Sequence, residues 1–102
     1  MTETLPDVLA AVDRLRQLVR GETVALPDDP SCSSAALQAL RDQVSMVRTH
    51  PRLRAVVAEV VDLAIRAARL REAGLDGEGW SYAELVGGMR VLEATLRPVD
   101  GA

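Results

Sequence analysis

The chain has 102 residues, 48% of them hydrophobic, with a net charge of -3 and an isoelectric point near 5.1. That length supports one domain, and that hydrophobicity excludes a chain disordered throughout. The acidic balance argues against broad nucleic-acid affinity, which normally appears as a basic domain. Aromatics reduce to Trp80 and Tyr82, with no Phe, so the core must be built from Leu, Val and Ala, which suit close helix packing. All 12 basic side chains are arginine, a bias that points to a GC-rich bacterial genome.

Four segments carry helical spacing, and none sustains a two-residue alternation. The first helix is predicted over about residues 5–20. Thr4 is its cap, Pro6 and Asp7 suit the first turn, and Gly21 marks the end. Leu5, Val8, Val12, Leu15 and Val19 share one face, widened by Leu9 and Leu18. "GETVALPDDPSCS", residues 21–33, is a connector that its two prolines keep from being helical, with Val24 and Leu26 expected to fold back on the bundle. The second helix is predicted over 34–48, with Leu37, Leu40, Val44 and Val47 on a narrow apolar face.

Pro51 disfavours helix at His50 and is welcome in a first turn, so the third helix is predicted over 51–73. Leu53, Val56, Val57, Val60, Leu63, Ala64, Ala67 and Leu70 form one face, which Val61, Ile65 and Ala68 widen. Glu59, Asp62, Arg66 and Arg69 keep a polar strip, with Asp62 and Arg66 at favourable i, i+4 spacing. Gly74 reads as the stop, and "LDGEG" as a turn-rich link. The fourth helix is predicted over 81–97. Ser81 and Glu84 fit a capping box, Trp80 and Leu85 a hydrophobic staple, and Leu85, Met89, Leu92 and Leu96 a buried stripe. The expected fold is therefore all-α: a small four-helix bundle in one domain, residues 1–97, with the third helix central and 98–102 a frayed tail. The wide third-helix face and the glycines of the fourth argue for burial against a second copy, hence a homodimer.

Three candidate surfaces follow. Counting residues 41–72 gives seven Arg against four acids, a basic island between acidic ends. Arg48, His50, Arg52 and Arg54 crowd its helix junction. Arginines there are mildly unfavourable beside the partial positive charge of a helix start, but they suit docking of an anion or an acidic partner. Ala83, Gly87 and Gly88 offer a small-residue surface for close helix approach; each mid-helix glycine costs about 1 kcal/mol relative to Ala, so something should offset it. Trp80, Tyr82 and Met89 outline a candidate pocket.

The stretch "SYAELVGGMRVLEATLR" resembles the helix-turn-helix pattern of bacterial regulators and sigma-factor-like domains. Ser81, Tyr82, Glu84 and Leu85 match the first helix, Val91 the turn, and Glu93, Ala94, Thr95 and Arg97 the second. The resemblance covers 17 residues and implies a DNA-reading helix pair with a turn near Arg90. It departs from the pattern where Arg90 replaces the turn glycine and Leu92 the serine or threonine cap. An unbroken helix through Gly87 and Gly88 is the expected alternative.

Catalytic patterns are sparse. His50 and Cys32 are the only residues of their kind, both in connectors; they supply no metal set, and a nucleophile with its base only if the fold joins them. Asp28 and Asp29 are explained by turn chemistry. The leading expectation is a small noncatalytic, adaptor-like interaction or regulatory protein without cofactor or metal. A helix-turn-helix regulator using 81–97 is the alternative, and a small-molecule binder or enzyme with a site in the bundle core stands third. A lone cysteine, acids near the N-terminus and no apolar run near ~18 residues predict a cytoplasmic protein that does not enter a membrane.

Overall fold

The computed structural model describes residues 8–19, 32–48, 50–75 and 80–100, with side chains of the last stretch described over 82–96. Four helices follow in order: α1 (Val8–Leu18), α2 (Ser34–Met46), α3 (Pro51–Glu72) and α4 (Trp80–Asp100). No strand occurs among the described residues. The predicted Thr4 cap, the connector to residue 31, the link at 76–79 and the Trp80 and Ser81 side chains of staple and capping box lie outside the described residues.

α3 organises the bundle. At about 1.5 Å per residue its 22 residues reach roughly 33 Å, most of the longest dimension of the molecule's 40 × 32 × 19 Å frame. α4 and α2 pack on it most extensively, and α1 adds a third contact. Three neighbours explain the width of its apolar face. Val57, Val60, Val61, Ala64, Ile65 and Ala68 are all buried, whereas Val56 and Leu63 sit only partly covered at its margin. The face is thus covered by the chain's own helices, and its width gives no reason for a second copy.

The other helices turn their predicted faces to that core. Val8, Val12 and Leu15 of α1 are buried together with Ala11, and Leu37, Leu40, Val44 and Val47 line the α2 side. On α4, Leu85, Met89, Leu92 and Leu96 are buried with Tyr82. Each such side chain contributes about 1.5–3 kcal/mol by leaving water.

Helix ends follow local chemistry. Ser33 caps α2: it is extended, with φ -70 and ψ 156, and its Oγ accepts from the Ala36 amide at 3.2 Å. Gly74, at φ +70, closes α3 in a Schellman motif, in which the Leu75 amide donates to the Leu70 carbonyl at 2.8 Å and the Gly74 amide to Arg71 at 3.0 Å. α4 remains helical through Pro98 to Asp100, beyond the predicted boundary. A proline there removes only the amide that would have bonded Ala94, a modest loss in a final turn.

Charged groups tie the helices together at their edges, and here the structure corrects one expectation. Asp62 and Arg66 do not pair with each other. Arg41 of α2 takes Asp62 at 3.0 Å, and Arg66 reaches Glu84 of α4 at 3.3 Å. Each pair joins neighbouring helices and is exposed, so each is worth only about 0.2–1 kcal/mol.

At the far end of α3, the Glu72 carboxylate accepts from the Ser34 amide at 2.9 Å and from its hydroxyl at 2.7 Å. A carboxylate at the start of α2 also meets the positive end of the helix. Those two hydrogen bonds, and then the nearby Arg71 and Arg69, hold the Glu72 pKa below its ordinary value. A lowered folded-state pKa gives stability that is present above the ordinary carboxylate range and is lost as pH falls through the lowered value. Glu72→Gln is therefore expected to flatten the acid side of the stability profile. Urea unfolding across a pH series checks this, and coincident slopes for parent and variant would refute the tie.

Candidate functional site

The α2–α3 corner gathers the basic junction. α2 ends because Val47 swings to an extended conformation, φ -71 and ψ 132, which buries its side chain. The carbonyl this exposes at the helix end accepts from Arg54 Nη1 at 2.6 Å. His50 then adopts the left-handed region, φ 49 and ψ 65, before Pro51 opens α3. Its carbonyl accepts the Arg54 amide at 2.8 Å. A non-glycine residue held left-handed costs about 1–2 kcal/mol, offset here by the two bonds that Arg54 makes across the corner.

The four predicted residues therefore divide. Arg54 is partly buried and engaged in shaping the turn. Arg48, His50 and Arg52 are exposed. Arg48 and Arg52 have no hydrogen-bond or ion-pair partner among the described residues. The first turn of α3 contains no acidic residue to neutralise them. Beside them, Met46 at the end of α2 is 78% exposed, more than any other large hydrophobic side chain described. Sequence periodicity missed Met46, because a last-turn methionine off the apolar face reads as an ordinary surface position.

The two glycines of α4 have different surroundings. A Cβ on Gly88 would lie 2.7 Å from Leu63 Cδ1 and 3.5 Å from Val60 Cγ2, so Gly88 is where α4 comes close to α3. A Cβ on Gly87 would meet nothing within 4 Å. Gly87 and Ala83 both face outward, away from the chain's own helices. α4 runs unbroken from Trp80 to Asp100, with the Thr95 hydroxyl donating to the Val91 carbonyl at 2.9 Å across the supposed turn. The turn near Arg90 that a helix-turn-helix requires is absent, because Leu85, Met89, Leu92 and Leu96 keep one register against the core.

No family model matches this chain, and no curated protein or solved structure is significantly similar to it. Functional inference therefore rests on its own residues.

The aromatic trio does not come together as a pocket. Tyr82 and Met89 are buried among core residues, and the Trp80 side chain lies outside the described residues. Met89 instead forms part of the floor of an open groove of about 580 Å³ between α1 and α4, with Val19, Val86, Arg16, Arg90 and Glu93. Across one end Arg16 grips Glu93, Nε to Oε1 at 2.7 Å and Nη2 to Oε2 at 3.3 Å, and also reaches Asp13 at 3.2 Å. The bonds to Glu93 are the main reason the Arg16 pKa is raised. Sequence offered no signal for that pair, since Glu93 has Arg90 at helical spacing and bypasses it for a residue of another helix. Among the described residues no group of His, Cys, Asp and Glu could hold a metal ion, and no helix is long and apolar enough to cross a membrane. Cys32 is buried at the start of α2 and takes part in no disulfide.

Proposed function

We propose that this chain is a small noncatalytic, adaptor-like interaction protein that docks an acidic protein partner at the α2–α3 corner. The observation that carries the reading is an exposed Met46 within a few residues of Arg48 and Arg52, both exposed and without a partner among the described residues. Methionine is an adaptable apolar contact for a protein surface, and arginine is enriched where interfaces carry their energy. Arg16, Arg41 and Arg66 bridge helices, and Arg54 and Arg71 bind backbone carbonyls, whereas Arg14, Arg48, Arg52, Arg69 and Arg90 have no partner among the described residues. The cations left at the corner stand at the open amides of a helix start, which favour negative charge.

The test is capture from the native host with wild-type protein and with Arg48→Glu/Arg52→Glu as bait. Both positions are exposed, so the variant is expected to keep its helical circular dichroism and lose the partner. Arg54 is left intact because its guanidinium holds the Val47 carbonyl. A partner retained equally by both forms would overturn the corner reading. Salt-dependent binding to duplex DNA, weakened by the same variant, would replace the protein partner with nucleic acid.

A further inference from the structure

We propose that the groove between α1 and α4 binds a small amphiphile, an apolar body carrying a single carboxylate, with Arg90 as the cation that receives the charge. This site is separate from the α2–α3 corner and its test needs no protein partner, so either can fail without the other. At about 580 Å³ the groove falls within the ~300–1,000 Å³ of small-ligand sites. Its lining has an apolar part, Val19, Val86 and Met89, and a charged edge, Arg16, Arg90 and Glu93.

Charge on that edge decides what fits. Glu93 stands three residues after Arg90, at the spacing where a pair can form within one helix. It does not form, because Arg16 of α1 holds both Glu93 oxygens, at 2.7 and 3.3 Å. Arg90 is left exposed with no partner among the described residues, and the edge, with two cations and one acid, keeps one positive charge in excess. A guanidinium presents parallel N–H donors that match a carboxylate. A dianion would set its second charge beside the Glu93 carboxylate, so a monoanion is the better match.

The apolar part sets the rest of the ligand. Val19 and Val86 are only half-buried by the chain's own helices, and Met89 lies beneath them as a floor that can adapt to the shape above it. Each methylene that a ligand buries there improves affinity about fourfold. A neutral apolar molecule leaves Arg90 unmatched, and a small anion leaves the valines in water. Only a ligand with both parts uses both halves of the groove.

Titration of the isotope-labelled full chain with octanoate, octanol and acetate, followed by amide shifts in NMR, tests the site. Octanoate is expected to shift Val19, Val86, Met89 and Arg90 saturably, with octanol and acetate each at least about tenfold weaker. Arg90→Gln is expected to weaken octanoate about tenfold and leave octanol unchanged, with the helical circular dichroism of the parent. Val86→Asp, which sets a carboxylate against the ligand, is expected to abolish octanoate binding. Arg69→Gln, an exposed cation on α3 away from the groove, is expected to bind like the parent. Octanol as tight as octanoate, an Arg90→Gln that binds octanoate unchanged, or no saturable shift at the groove residues would each overturn the proposal. Shifts at Val86 and Arg90 that grow on concentrating the protein alone would give the groove to a second copy and overturn it equally.

Discussion

Val60→Glu is expected to take a large part of the chain's stability at neutral pH, at least about 3–5 kcal/mol. Val60 is 2% exposed on the inner face of α3, with its Cγ2 directed toward Gly88 of α4. A glutamate there places a carboxylate among Leu and Val side chains with no cation to meet it. An uncompensated buried charge costs about 3–5 kcal/mol, and the lost packing adds to this. A domain of this size is stable by about 5–15 kcal/mol at most, so the loss takes a large part of the total. Protonating the new carboxyl removes the charge, so some of that stability is expected to return on mild acidification, opposite in direction to the Glu72 effect. Far-UV circular dichroism with urea titration at two pH values checks both halves. A variant that unfolds cooperatively within about 1 kcal/mol of the parent would show that the inner face of α3 is not packed as described.

The helices were legible because each repeats a local signal. Leu37, Leu40 and Val44 announce the α2 face by spacing alone, and Gly74 announces the end of α3 because only glycine takes a left-handed turn without penalty. The third helix could be named central from the width of its stripe. That stripe could not say what covers it. Width fits a second copy as well as three neighbours in one chain, and only the packing of α1, α2 and α4 decides between them.

Charged residues were less legible, for the same reason. Asp62 has Arg66 one turn away and takes Arg41, while Glu93 has Arg90 within a turn and takes Arg16. Local spacing shows which pairs can form, but the rotation of each helix against its neighbour determines which do. The basic junction illustrates both sides. Its four residues were visible as a cluster, yet the sequence could not separate Arg54, which is committed to the Val47 carbonyl, from Arg48 and Arg52, which remain outward. Met46 carried no signal at all.

Gly88→Val is expected to lower stability by about 2 kcal/mol, while Gly87→Ala, one residue away, raises it by about 1 kcal/mol. The two share sequence neighbourhood, helix and residue type, so propensity alone predicts gains of the same sign. Packing divides them. Even the first carbon added at Gly88 lies 2.7 Å from Leu63 Cδ1, well inside contact distance, and a branched side chain drives a further methyl toward Val60. The end of Leu63 can swing aside in part, because Leu63 sits at the margin of the core. Alanine at Gly88 is for that reason the weaker test, with helix propensity and crowding nearly cancelling. Valine cannot be absorbed by one rotamer change. If crowding is the cause, Leu63→Ala should return a large share of the loss in the double variant, giving a coupling energy of about 1 kcal/mol in a double-mutant cycle. Thermal and urea unfolding of the four proteins supply the measurement. Additive losses would place the cost in the α4 backbone itself, and with it would go the claim that α4 and α3 come close at Gly88.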